Sequence, residues 1–428
     1  MKAAKALFLC VVVVVSTLYH AKPAKAVALS GEAVSTLAPG ASAGEGQAGV
    51  ELENVHALVR FGAGITFLAT IKASIQIQNL SIVIFDEAQG LTHVQPLDIR
   101  ADGTTEYFFD TRQNILRPFT NVRWSYQFTL TDGSTFQSET FFIRYDDDRF
   151  TWQTLEAGSI RLHWYNGDVN FGQAALNSAQ SGLQSISALL PLDLARPVDI
   201  FIYANAGDLR GTYYSESEAW VAGHANSAVG VVMVVIEPGA NQSIFMDQRI
   251  PHELMHVMLY RSIGAGYNNL PTWLREGTAT LAEVSPNPDY DRVLAAAGAN
   301  NTLIPIKDLC ASFPPNADTA FLAYAESRSF VHYLQSTYGS AKLLSLVSIY
   351  ADGVDCERGT ENAYGVSLSK LEMDWRASAL GQNAILSALG NLSPYLILLC
   401  LILLIPFIGI MTVMRKKGGR NEPETYAG

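Results

Sequence analysis

His252-Glu253-Leu254-Met255-His256 is the stretch on which the reading of this chain turns. Two histidines four residues apart in a helix lie roughly 40° apart around the axis and about 6 Å apart along it. Both imidazoles therefore leave one face and can meet a single ion. A Zn–N bond is only about 2.0–2.1 Å long, so two rings on one rigid face make half of a tetrahedral site. Glu253, next in sequence to a ligand, is placed to hold a water and take its proton. Chance produces this pattern on the order of once per hundred chains of such length, so its neighbours have to support it.

They do. Asp247 reads as the helix cap and Pro251 as a first-turn residue. Leu254, Val257, Met258 and Leu259 give the helix an apolar face, and Gly264 and Gly266 end it. Pro271-Thr272-Trp273-Leu274-Arg275-Glu276-Gly277-Thr278-Ala279 follows, with Thr272 as the expected cap of a second helix. Glu276 comes 20 residues after His256, room for a helix end, a loop and a returning antiparallel helix. Two histidines, one glutamate and a water form the catalytic arrangement that hydrolyses amides. Glu283, two helical turns beyond Glu276 on the same face, is the rival third ligand, with a solvated helix-end carboxylate as its plainer reading. Glu276 is preferred because the start of the second helix lies nearer the first.

His252, Glu253 and His256, followed by Trp273, Glu276-Gly277 and Ala279, resemble a gluzincin, and more closely the bacterial peptidase MA-like metallohydrolases. The resemblance spans about residues 145–375, and its specific part is the ligand block. It implies an α+β zinc peptidase fold, Zn2+ held by His252, His256 and Glu276, Glu253 as general base, and a peptide or protein substrate. It also implies that a strand near Gly230–Ile236 borders the cleft and pairs with extended substrate; a buried central strand is the alternative. Tyr324, in Ala323-Tyr324-Ala325-Glu326-Ser327, sits in a segment that relatives share and is the candidate donor to the oxyanion, against a plain packing role. One departure stands out. Many gluzincins carry an acidic residue four positions after the ligand glutamate to orient a ligand histidine, and here that position is Thr280.

The chain has 428 residues, 49% of them hydrophobic, enough for two domains with appendages. Its formal charge of −11 excludes a nucleic-acid partner, which would need a basic surface. Lys2 and Lys5, the apolar run from Ala6 to Leu18, and Ala24 and Ala26 have the order of a secretory signal peptide over residues 1–26. Residues 395–414 are apolar over a bilayer-spanning length and are followed by Arg415, Lys416, Lys417 and Arg420. This pattern predicts a single transmembrane helix in a lipid bilayer, an extracytoplasmic body, and a cytoplasmic tail over 415–428. Cys310 and Cys356 are the two cysteines of the exported body and suit a disulfide.

Residues 27–49 read as a flexible linker and 50–145 as a β-sandwich of immunoglobulin or fibronectin type. In the latter, Trp124–Leu130, Asp132-Gly133 and Phe136 form a hairpin with an expected type I′ turn. A spacer is the default role for such a module. The zinc peptidase domain is expected over 146–380 and a juxtamembrane linker over 381–394. Asp146-Asp147-Asp148 between the two domains reads as a solvated turn, since it lacks the spaced oxygens of a calcium loop. Strands are expected at Ile160–Trp164 and Val198–Tyr203, and helices at Phe171–Leu190, Asp289–Ala297, Thr319–Tyr338, Ala341–Tyr350 and Leu368–Ala379. His332 and His224 are weaker site candidates, each with a structural role as the plainer reading. His56, His93 and His163 lack spaced partners and read as ordinary.

Three functions compete. A membrane-anchored extracytoplasmic zinc metallopeptidase is preferred. A non-catalytic cell-surface binding or adhesion protein retaining the fold is the alternative, although binding alone has no use for Glu253. An intramembrane protease would carry its motif within an apolar span, whereas Arg249, Arg261 and Arg275 flank this one.

Overall fold

Alternation of inward apolar and outward polar residues along most strands shapes residues 50–144. After a two-residue strand β1 (Val27–Ala28) come β2 (Val50–Arg60), β3 (Gly64–Ala73), β4 (Ile77–Asp86), β5 (Leu91–Leu97), β6 (Thr104–Asp110), β7 (Asn121–Leu130), β8 (Thr135–Gln137) and β9 (Phe141–Arg144). In this computed structural model residues 27–28, 49–193, 195–212, 223–381 and scattered positions between 392 and 411 are described. β2–β3–β6 form one antiparallel sheet and β5–β4–β7 another, with β8 and β9 both on the free edge of β7. Val122, Trp124, Tyr126, Phe128 and Leu130 alternate inward along β7 and meet Ile65, Phe67 and Ala69 of β3. The Phe67 and Trp124 rings lie 5.1 Å apart across the core. The hairpin between β7 and β8 differs from expectation. Of its loop residues only Gly133 has positive φ, at 83°, whereas a type I′ turn needs two. Gly133 N–H instead closes a turn on the Leu130 carbonyl at 2.9 Å.

The second half continues as β10 (Gln153–Ala157), β11 (Ile160–Trp164), α1 (Val169–Leu189), β12 (Val198–Tyr203), α2 (Ala206–Arg210), β13 (Gly223–Asn226), β14 (Val231–Val235), α3 (Gln242–Ile263), α4 (Thr272–Ala282), α5 (Asp289–Asn300), α6 (Ala317–Tyr338), α7 (Ser340–Ala351), α8 (Cys356–Tyr364) and α9 (Leu368–Leu380). One sheet runs β1-β10-β11-β12-β14-β13, parallel where β12 meets β11 and β14 and antiparallel elsewhere. Every residue of β12 and β14 is buried, because both faces of the sheet are covered. Ile200, Ile202, Val232 and Val234 pack with residues of α1 and α3. Phe201, Tyr203, Val231 and Met233 pack on the other side with Phe119 and Trp152. β14 is therefore not the edge expected to border the cleft; β13 covers it and is itself the edge strand. The polar helix α8 escaped the sequence reading; Asp355 starts it by accepting Arg358 N–H at 2.9 Å.

The acidic triplet at the junction is not a solvated turn. Asp147 is fully buried and accepts from Arg149 Nε at 2.7 Å and Nη2 at 2.6 Å and from Tyr203 Oη at 2.9 Å. Asp148 accepts Phe61 N–H at 2.9 Å, and Tyr145 Oη accepts Gly62 N–H at 2.8 Å. Arg144 and Arg161 converge on Asp199 at 3.0 and 2.7 Å, and Phe119 stacks on Phe201 at 3.7 Å. These contacts fasten the sandwich to the free face of β12. The two aspartates are buried and their arginine partners part-exposed, so loss of an arginine would leave a buried carboxylate short of a partner.

The expected membrane-spanning helix over 395–414 is overturned. Among the described residues no helix is long and apolar enough to cross a membrane. A lipid bilayer as partner through that helix is likewise not supported. The expected signal peptide, most of the linker and juxtamembrane stretch, and the tail over 415–428 lie outside the described residues.

Candidate metal centre

α3 begins at Gln242, not near Asp247, which leaves Pro251 in its interior. A proline there removes one i→i−4 bond, so the Asp247 carbonyl is left without its helical donor. Val284 N–H fills the place at 2.9 Å, and Ser285 Oγ donates to the Asp247 carboxylate at 3.1 Å. The proline is also packed, since Gly182 of α1 offers just enough room; a Cβ at Gly182 would come within 2.9 Å of the Pro251 ring.

α4 returns beside α3. Pro271 precedes it without a side-chain cap, and Thr272 does not cap it as expected. Thr272 N–H instead donates to the Cys310 carbonyl at 2.9 Å and Thr272 Oγ1 to the Ala311 carbonyl at 2.9 Å. Cys310 is bonded to Cys356, and Trp273 Nε1 donates to the Cys356 sulfur at 3.4 Å. The start of α4 is thus moored to the disulfide. Gly277 lets α4 approach α6, for a Cβ there would lie 2.5 Å from the Ser327 carbonyl oxygen.

This framework brings His252, His256 and Glu276 together, their ligand atoms all within 4.8 Å of one another. Glu276 Oε2 stands 3.5 Å from His252 Nε2 and 3.6 Å from His256 Nε2. Its other oxygen, Oε1, accepts from Arg275 Nε at 3.4 Å. Both Nδ1 atoms are occupied elsewhere: His252 Nδ1 lies 3.4 Å from Glu283 Oε1, and His256 Nδ1 lies 3.0 Å from Tyr267 Oη. A histidine whose Nδ1 is held by a carboxylate or hydroxyl presents Nε2 as its ligand atom, so the donor set suits a zinc ion. Glu283, the rival third ligand, is thereby placed behind His252. Thr280 bonds its own helix at the Glu276 carbonyl, 2.8 Å away, and takes no part.

The carboxylates around the triad favour a positive charge there. Burial favours a neutral His252, but Glu276, Glu283 and Glu253 outweigh it and hold its pKa up to about 10. Burial also opposes the charge of Glu276, yet His256 and His252 hold its carboxyl well below the usual range. Burial pushes Glu253 upward, with His256 and His252 pulling it back, which leaves a stronger base than an exposed glutamate.

Tyr324 of α6 comes near, its ring 6.1 Å from that of His252 and 4.9 Å from that of Phe313. Burial, then Glu276 and Glu253, push its hydroxyl pKa upward, so it stays a neutral donor. His332 lies exposed on the same helix, away from the triad. The side chain of His224 is outside the described residues. His56 bonds the Asn54 carbonyl at 2.7 Å and His93 packs edge-on to Phe109. His163 is buried against Asp199 at 3.1 Å. The sequence reading missed Tyr267, which sits on a 3-10 turn where no periodicity announces it.

Residues 178–381 match the family model described as the Peptidase MA superfamily. No curated protein matches the chain. Among solved structures the chain is similar to an M1 zinc metallopeptidase from Deinococcus radiodurans, at 12% identity over 78% of this chain and 94% of that one, with a TM-score of 0.34. It is also similar to wild-type OgpA from Akkermansia muciniphila, at 21% identity over 26% of this chain and 32% of that one, with a TM-score of 0.19.

Proposed function

We propose that this chain, whose residues 178–381 are a peptidase MA superfamily domain, is a zinc peptidase that hydrolyses peptide bonds. The observation that carries the reading is the convergence of His252 Nε2, His256 Nε2 and Glu276 Oε2 beside a buried Glu253 that is not needed as a ligand. Zinc held there supplies a Lewis acid that polarises a carbonyl and acidifies a water. Glu253 orients that water and takes its proton as it attacks, then delivers the proton to the leaving amine. Its burial suits the first half of the task, since a raised pKa makes it a better acceptor of the water's proton than an exposed glutamate. Tyr324 Oη donates a hydrogen bond to the oxyanion that forms on the substrate carbonyl. Glu283 and Tyr267 keep the two imidazoles turned so that Nε2 faces the site. The Cys310–Cys356 bond supports an oxidising, extracytoplasmic compartment for this domain.

The test compares wild type with Glu253→Gln on a broad peptide library, with zinc content measured for each. The variant should keep its zinc and lose about 10²–10⁴ in rate. Equal hydrolysis by both would assign cleavage to something else. A zinc-loaded wild type without activity on any peptide would favour a binding protein that retains the fold.

A further inference from the structure

Arg249 lies on the face of α3 that carries the metal centre. By helical spacing it falls about 20° around the axis from His256 and about 60° from His252, roughly 5 Å ahead of the latter along the axis. Its side chain reaches from that face to the sheet, where Nη1 donates to the carbonyl of Val235, the last residue of β14. The guanidinium also lies over the Phe245 ring of its own helix, with Cζ 4.3 Å from the ring centre. Two contacts thus fix the plane of the group beside the triad.

What Arg249 lacks is an anion. It is half-buried, and burial lowers its pKa with no described carboxylate to offset the effect. Asp247 and Glu253 stand two and four places away on the same helix, yet neither pairs with it. The Asp247 carboxylate accepts Ser285 Oγ, and Glu253 is under the influence of His256 and His252. Drawing a guanidinium out of water without a partner charge is costly, and buried arginines are as a rule paired. The other arginine at the centre follows the rule, since Arg275 Nε donates to Glu276 Oε1 at 3.4 Å.

The free part of Arg249 has a definite shape. Nε and Nη2 have no acceptor among the described residues, and neither is sealed from solvent. Together they form one flat edge of the guanidinium, whose parallel N–H groups match the two oxygens of a carboxylate. Arg149 uses this same edge on Asp147, at 2.7 and 2.6 Å.

We infer that Arg249 determines specificity by binding, through Nε and Nη2, a carboxylate of the substrate within about two residues of the scissile bond. An extended peptide advances about 3.3 Å per residue, so one helical turn from His252 corresponds to that distance along the substrate. The inference rests on the peptidase reading and adds the substrate class, an acidic peptide. An aspartate or glutamate side chain and a free C-terminus present the same group.

The experiment measures kcat/KM of the full chain, loaded with zinc, on N-acetylated peptide pools carrying Asp or Glu at one interior position. Matched pools carry Asn or Gln there, and every pool is made with a free and with an amidated C-terminus. Wild type should favour the carboxylate at least about tenfold, as a charge-assisted hydrogen bond implies, and should cut within two residues of it. A preference for Asp and Glu kept in the amidated pools assigns Arg249 to a side chain; a preference only for the free acid assigns it to a C-terminus. Arg249→Gln should bring the ratio close to one. Arg249→Lys, which keeps the charge and loses the flat edge, should retain part of it. Zinc content is measured for each protein. An equal rate on all pools, or a preference that Arg249→Gln leaves intact, would overturn the assignment while hydrolysis itself stands. A zinc-loaded wild type that cuts no pool would remove the peptidase reading and this one together.

Discussion

The carbonyl oxygen of Asp247 accepts the amide N–H of Val284 at 2.9 Å, a bond left open to it because the residue four places on is Pro251. A gap in the hydrogen bonding of one helix thus captures the residue that follows Glu283. The carboxylate of Glu283 is brought to His252 Nδ1 as a result.

Pro251→Ala should therefore act in two directions. Alanine restores the missing helical donor and is favoured in a helix interior by about 3 kcal/mol, but it competes with Val284 for Asp247. The expected outcome is zinc affinity reduced several-fold with little or no loss of thermal stability, read by chelator competition and by calorimetry of the metal-free protein. Unchanged zinc affinity would show that Glu283 is held in place by other means.

Glu283→Gln and Glu276→Gln should separate the two carboxylates. Loss of a partner behind a ligand histidine typically costs 10–100-fold in metal affinity, an order-of-magnitude range expected for Glu283→Gln. Glu276→Gln removes the ligand itself and should cost more. Equilibrium dialysis against zinc buffers gives both numbers, and the reverse ranking would make Glu283 the third ligand.

Glu326 gives the fold a pH dependence of its own. Its side chain is fully buried, and burial raises its pKa from 4.5 to about 8, with the Ile304 N–H at 2.9 Å pulling only slightly back. The folded protein holds this proton more tightly than the unfolded chain. Its favourable contribution is therefore complete below about pH 4.5 and fades as pH rises to about 8. Glu326→Gln, neutral throughout, should melt higher than wild type near pH 8.5 and about equally near pH 4.5. The gain at high pH should be a few kcal/mol, on the order of 2–4. An equal effect at both pH values would refute the assignment.

Asp147→Ala should destabilise the whole chain. It removes the shared acceptor of Arg149 and Tyr203 Oη at the junction, a loss of about 1–3 kcal/mol because Arg149 is part-exposed and keeps the Asp208 carbonyl. Sandwich and peptidase domain should still unfold together in wild type, and a separate early transition in the variant would show that the junction had coupled them. A single transition at an unchanged temperature would contradict this.

The ligand block was legible because its signal is local: helical spacing alone brings His252 and His256 to one face. Glu276 was legible as a preference over Glu283 but not as a geometry, since a loop of unknown path intervenes. What the sequence hid is what depends on distant partners. Asp147 reads as a turn residue until Arg149 and Tyr203 close around it. Thr272 has the type of a cap, but the chain segment at Cys310 and Ala311 claims both its N–H and its hydroxyl. The strand β14 looked like a rim because its short antiparallel neighbour, Gly223–Asn226, has little apolar character. Pro251 was assigned to a first turn because prolines usually sit there, and only the rescue of Asp247 by Val284 makes an interior position tolerable.

Because α4 is moored to Cys310–Cys356, oxidation should be a step in assembling the proposed metal centre. Before the bond forms, His252 and His256 would already share one helix, while the start of the helix that offers Glu276 would be held only by Thr272. The bond spans 46 residues and encloses all of α6, so Tyr324 is drawn in by the same closure. A reductant added to the folded protein should then do from a distance what a chelator does at the site: lower the hold on the ion without touching a ligand.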